Sequence, residues 1–231
     1  MEVIDIIILI FIALGAIAGF KAGFFKKTVD FVGMLIVVVL AFYLKNYVSA
    51  VMYTYLPFFN FNGLFKGVEV INILLYEVIA FTIIFSLLLV ILRVLLLITG
   101  IIEKILKATI ILSIPSKILG MIVGAVEMYV YIFVILVVVT LPIFNLSFLR
   151  ESKAVDFILN NTLVLSSMSE EIVSTYDDVY EIAVNRNDKT SEELNTEILK
   201  VLIEKNIITK ESAGKLVDDN KLHLSDESII Q

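Results

Sequence analysis

The sequence predicts an all-α, polytopic membrane protein with four transmembrane helices followed by a helical, soluble C-terminal tail. Three observations predict this class. Apolar residues make up 59% of the chain and its mean hydropathy is +0.98, against roughly 45–50% apolar residues in soluble domains. They are gathered into four long runs, and about 20 apolar residues suffice for a helix to cross ~30 Å of hydrocarbon. Charge also changes sign near Asn145. Residues 1–144 carry 9 Lys/Arg and 7 Asp/Glu, whereas residues 145–231 carry 9 and 17. The expected division is therefore a transmembrane domain over 1–144 and an acidic helical region over 145–231.

The first run, Ile4–Phe20, leads into Lys21, whose stem can lie along the apolar surface while its ammonium reaches water. Its acidic start, Glu2 and Asp5, replaces the basic segment of a cleavable signal peptide. Val29–Leu44 follows, with Tyr43 and Tyr47 at its exit. Ile71–Thr99 is long enough to absorb Arg93. An arginine at a helix centre costs roughly 2.5–3.5 kcal/mol on the insertion scale, while each Leu, Ile, Phe or Val returns roughly 0.3–0.6. Ile118–Phe144 is the fourth run and closes near Pro142.

Between the second and third runs, Tyr47, Tyr53, Tyr55, Phe58, Phe59, Phe61 and Phe65 crowd around Pro57 and Gly63. Such density predicts an aromatic belt at the headgroup level. Ile101–Leu112 alternates apolar residues with Glu103, Lys104 and Lys107, the pattern of a short helix lying on the membrane surface, and Pro115 is expected to reset the chain before the fourth run. In the tail, Asn145–Ile182 carries apolar residues at helical spacing. Thr190-Ser191-Glu192-Glu193 reads as a capping box opening a helix to Glu204, and Thr209 as a cap for Lys210–Val217.

Lys21, Lys26, Lys27, Lys104, Lys107 and Lys117 fall on one side, Lys45 and Lys66 on the other, with Arg150 and Lys153 adding to the second set. The larger set predicts the cytoplasmic face, so both termini are expected outside the cytoplasm.

Two strips of small residues at four-residue spacing, Gly15/Gly19/Gly23 and Ser116/Gly120/Gly124, predict helix-packing seams, because small residues let helix backbones approach in lipid. Ionisable residues inside membrane helices are candidate functional groups; here these are Asp5, Glu77, Arg93 and Glu127. Arg93 and Glu127 fall at similar depths and are expected to pair. The only histidine, His223, lies in the polar tail and reads as a solvated residue. The chain has no cysteine, hence no thiol nucleophile or cysteine-ligated metal. No phosphate loop, nucleophile elbow or paired-histidine motif is present. We therefore expect no catalytic residues, no cofactor and no metal: this is not the sequence of an enzyme. The acidic balance argues against nucleic acid as a partner, leaving the bilayer, a membrane or envelope protein, or a second copy.

Several stretches resemble one family. Val3-Ile4-Asp5-Ile6-Ile7, then Gly15 and, after three residues, Gly19-Phe20-Lys21-Ala22-Gly23-Phe24-Phe25-Lys26, is similar to the opening of CvpA-type, colicin V production membrane proteins. Pro115-Ser116-Lys117-Ile118-Leu119-Gly120-Met121-Ile122-Val123-Gly124 resembles their entry to the fourth helix, and Leu149-Arg150-Glu151-Ser152 their usual ending. The resemblance covers about residues 3–165. It implies a bacterial inner-membrane protein of four spans, linked to colicin V production and export and to envelope homeostasis. Some relatives carry a serine protease after the spans, but this tail has no nucleophile–base set to match. The competing reading is a small channel or transporter whose path is lined by Asp5, Glu77, Arg93 and Glu127.

Overall fold

The computed structural model describes residues 3–107, 114–139, 152–161, 166–186 and 188–230, with side chains described at all of these except 99–107 and 166–173. Helices run over α1 (Val3–Ala22), α2 (Phe24–Tyr55), α3 (Ile71–Lys107), α4 (Ile114–Val139), α5 (Lys153–Asn161), α6 (Ser166–Val184), α7 (Ser191–Glu204) and α8 (Lys210–Asp218), with 3-10 turns at Gly63–Phe65 and Glu227–Ile230. Four of them are long and apolar enough to cross a membrane: α1, α2, α3 over Ile71–Ile98, and α4. The chain is an all-helical, polytopic membrane protein with a helical tail.

Helix limits follow from local chemistry. α1 ends because Gly23 sits at φ +81°, a left-handed conformation that suits glycine, and α2 begins at the next residue. The turn between the first two spans is thus one residue long, and Lys26 and Lys27 belong to the first turn of α2. Gly23, expected within a helical strip, is instead the hinge after it. α2 stops before Pro57, whose ring disfavours helical backbone at Leu56. α3 runs without a break through 101–107, so the first part of the expected surface helix is a continuation of the third span. Gly100 alone costs about 1 kcal/mol relative to alanine, too little to end so long a helix. The rest of that expected segment, 108–112, lies outside the described residues. Pro115 does not precede α4 but occupies its first turn, where a missing N–H costs nothing.

The chain forms two compact units. The first comprises Met1–Phe42, Ile83–Thr140 and Phe144–Ser166; the second Tyr43–Thr82, Leu141–Ile143 and Ser167–Gln231. The charge boundary near Asn145 therefore does not coincide with theirs, because the acidic tail shares a core with the C-terminal part of α2 and the N-terminal part of α3. That core joins Tyr53, Phe65, Val70, Ile71, Leu74 and Tyr76 to Tyr176, Val179, Leu194, Ile198, Leu199, Leu202, Leu216 and Leu222.

This core overturns the expected aromatic belt. Tyr53 and Phe65 are buried, and Phe58 and Phe61 pack against the same cluster. Tyr47, Tyr55 and Phe59 remain exposed. The tail supplies apolar stripes that a short loop lacks, so burial in protein replaces burial in the headgroup layer.

Polar contacts fix the packing. The Asn195 carboxamide oxygen accepts from the N–H groups of Glu69 (2.8 Å) and Val70 (3.3 Å). Tyr176 Oη donates to the Leu74 carbonyl at 3.0 Å. Lys221 Nζ donates to the carbonyls of Thr54 and Leu56, placing a cation at the negative end of α2. α7 opens with the expected capping box at Thr190 and Glu193, and α8 with Thr209 accepting from the Ser212 N–H.

Candidate functional site

In the first unit the two small-residue strips face one another. A Cβ on Gly15 would lie 2.5 Å from Met128 Cβ and 2.6 Å from the Gly124 carbonyl oxygen. One on Gly120 would lie 2.5 Å from the Gly19 carbonyl oxygen, and one on Gly19 only 2.9 Å from Gly124 Cα. No side chain fits at these positions, so α1 and α4 meet backbone to backbone, as small-residue helix pairs do in lipid. At the end of this seam the Phe24 N–H donates to Ser116 Oγ at 3.2 Å, and Lys117 Nζ lies 5.8 Å from the centre of the Phe20 ring.

Asp5 closes the other end. Its buried carboxylate accepts from Ser152 Oγ at 2.5 Å and from the Ala154 N–H at 3.4 Å, while Ser152 Oγ accepts from the Val155 N–H at 3.2 Å. Ser152 is thus the N-cap of α5 and Asp5 places a negative charge at the positive helix end, both stabilising arrangements.

The expected Arg93–Glu127 pair is not formed. Lys27 Nζ lies against Glu127 Oε2, both side chains being largely buried, and Arg93 Nη2 donates to Tyr131 Oη at 3.2 Å. The one-residue turn at Gly23 explains the exchange: it starts α2 early enough to carry Lys27 inward to the acid. Around this pair sit residues absent from the expectation. Asp30 is buried, and its Oδ1, Thr28 Oγ1 and Glu127 Oε2 have no hydrogen-bond partner among the described residues, the last being met by the Lys27 ammonium as an ion pair alone. The Tyr131 hydroxyl interacts electrostatically with Arg93, Glu127 and Asp30. Lys27 and Asp30 stand three residues apart on one helix, but a span read as starting at Val29 puts both at its margin.

Glu77 belongs to the second unit. It accepts hydrogen bonds from Lys45 Nζ and Ser49 Oγ. Each of the four charged candidates therefore has its own local partner, Asp5, Arg93 and Glu127 in the first unit and Glu77 in the second. His223 is exposed, yet its Nδ1 lies 2.9 Å from Glu69 Oε1 and its backbone N–H donates to Glu69 Oε2 at 2.8 Å.

The family model described as colicin V production protein matches residues 4–163. The chain belongs to the colicin V production protein family. The matched stretch starts beside Asp5 and ends just after α5, so the Asp5–Ser152 contact ties together the two ends of the family region. It also contains both halves of the glycine seam and the Lys27–Glu127 pair, whereas α7 and α8 lie beyond it. Membership suggests a role in colicin V production. No curated protein and no solved structure matches the chain.

Proposed function

We propose that this colicin V production family member is a non-catalytic accessory or scaffold protein of the bacterial inner membrane. In this reading it assists the production and export of colicin V-type toxins and contributes to envelope homeostasis. One observation carries the preference for a scaffold: the acids Asp5, Glu77 and Glu127 are each met within the same chain, Asp5 by a hydroxyl donor, and Glu77 and Glu127 by a lysine ammonium. Groups neutralised within the fold hold helices in register, and a backbone-to-backbone seam between α1 and α4 suits a rigid support.

Orientation belongs to the same proposal. Gly23 and Ser116 lie at one end of the α1–α4 seam, and the α2–α3 connection shares a core with the tail. Both support alternation of four spans, with the lysine-rich turn cytoplasmic and both termini extracytoplasmic.

The test is complementation. A colicin V-producing strain lacking its own family member should regain toxin release when it expresses this chain, and a chain with Gly19→Leu should fail. Absence of rescue by the wild-type chain at normal membrane abundance would sink the reading.

A second reading has one observation in its favour, the unpartnered buried oxygens of Asp30 and Thr28. Buried polar groups without protein partners are sites for water or solute. Under that reading the chain is a small channel or transporter, and purified protein in liposomes would carry an ion flux that Glu127→Gln or Asp30→Asn abolishes.

A further inference from the structure

α3 is the least covered of the four spans. Only 6% of its most apolar window is buried within the protein, against 44% for α4. Its uncovered side contains a regular row: Ile83 (51% exposed), Leu87 (58%), Val90 (62%), Val94 (52%) and Leu97 (74%). The spacings are four, three, four and three residues, the repeat by which one helix packs along another with side chains interlocked. At 1.5 Å per residue the row is about 21 Å long, most of the depth of a ~30 Å hydrocarbon core.

Lipid can cover the apolar row but does not answer Arg93. Arg93 immediately precedes Val94, at the flank of the row, where interhelical ion pairs form in such packings. It is exposed, and among the described residues it has no carboxylate partner; its hydrogen bond goes to the neutral Tyr131 hydroxyl. That bond turns the guanidinium towards α4, whereas a snorkelling side chain would extend towards the headgroups. A charged group within the span is expensive unless it is paired.

We propose that this face of α3 docks a transmembrane helix of a partner protein that carries a carboxylate at the depth of Arg93. A second copy of the chain is a poor occupant: no acidic residue lies between Ile83 and Ile98, and parallel copies in register would set Arg93 against Arg93. The proposal rests on the accessory reading above and names the partner chemistry of that role.

The full chain, fluorescently labelled in zwitterionic vesicles, is mixed with labelled polyleucine helices bearing a central glutamate, glutamine or leucine. Energy transfer should report association with the glutamate helix roughly tenfold stronger than with the leucine helix, the size that interhelical polar contacts reach in model peptides. Arg93→Leu should erase the preference and Arg93→Lys keep part of it. Leu87→Ala with Val90→Ala, which removes packing from the row without adding a polar group, should weaken binding of all three helices. Equal binding of the three helices to wild-type protein overturns the proposal, as does a preference that survives Arg93→Leu. Energy transfer between two labelled copies that depends on Arg93 and excludes the glutamate helix would assign the face to self-association instead. Loss of the preference on adding anionic lipid would assign Arg93 to a headgroup phosphate. Toxin release separates the two readings. Rescue of release without a glutamate preference refutes only the docking face; a glutamate preference without rescue refutes only the role in toxin production.

Discussion

Glu127 shows what a single residue's neighbours decide. Its pairing with Lys27 places two charges in a largely buried site, where removal of one partner leaves the other uncompensated at a cost of about 3–5 kcal/mol. Lys27→Met and Glu127→Gln should each destabilise by that order, and the double variant by clearly less than the two together. Arg93→Leu and Glu127→Gln should couple less strongly than that pair, since the two residues meet only through the Tyr131 hydroxyl. Unfolding free energies measured for the wild type, the three single and the two double variants check both statements. The acid itself was legible from the sequence, since a glutamate on the glycine-bearing face of a membrane helix must find a partner. Which partner was not, because it depended on a one-residue turn at Gly23 whose positive φ no periodicity reveals. Tyr176 makes a second case. Burial, with the Glu77 charge adding to it, pushes its hydroxyl well above the usual tyrosine value. The folded state therefore keeps the proton when the unfolded chain, titrating near pH 10, gives it up. Stability from this group is fully present below about pH 10 and is lost as the pH rises above it. Tyr176→Phe should lower stability at pH 7 by about 1 kcal/mol through the lost bond to Leu74 and flatten the alkaline decline. Equal alkaline slopes in the two proteins would contradict the assignment.

At the scale of elements, the α1–α4 seam explains why glycine recurs where it weakens an isolated helix. Gly15, Gly19, Gly120 and Gly124 each stand where a Cβ would meet the opposite helix. Gly19→Ala or Gly120→Ala should force the helices apart and cost about 1–3 kcal/mol, the usual scale of overpacking. Ile17→Leu, at an exposed position, should be neutral. The checks are thermal unfolding in lipid and the yield of a cross-link between cysteines placed on α1 and α4. The seam could be read from spacing alone because backbone approach requires small residues at one helical repeat. The second unit could not be read that way. Tyr53 and Phe65 look like interfacial aromatics when only neighbours in sequence are considered, and their burial is produced by Tyr176, Leu194 and Ile198, more than 100 residues away. The tail's helix starts were nonetheless legible at Thr190 and Thr209, since capping is chemistry among four consecutive residues. Gly67 joins the two kinds of information: its φ of +77° suits a turn, and only the fold reveals that Ser191 occupies the space a side chain would need.

For the whole molecule, the decisive question is which faces of the membrane the turns and the tail occupy. The second unit predicts a linkage independent of any charge rule. Asn60, in the α2–α3 connection, and Ser228, near the C-terminus, are exposed parts of one compact unit, so they must share a side. Lys26, the third residue of α2, belongs to the other unit, and alternation of four spans predicts that it lies on the opposite side. The positive-inside bias then chooses between the two orientations. It acts through short basic segments such as Lys21 to Lys27, while a long acidic tail carries little weight. Because the chain has no cysteine, single replacements report cleanly. Asn60→Cys, Ser228→Cys and Lys26→Cys, each expressed in intact cells, are treated with a membrane-impermeant maleimide and again after the membrane is opened. Asn60→Cys and Ser228→Cys should label in intact cells, and Lys26→Cys only after opening. Labelling of Lys26→Cys alone in intact cells would invert the orientation and leave the fold untouched. Labelling of Asn60→Cys without Ser228→Cys would contradict the shared core itself, since Tyr53, Phe65 and Leu74 cannot pack against Leu194 and Leu202 across a bilayer.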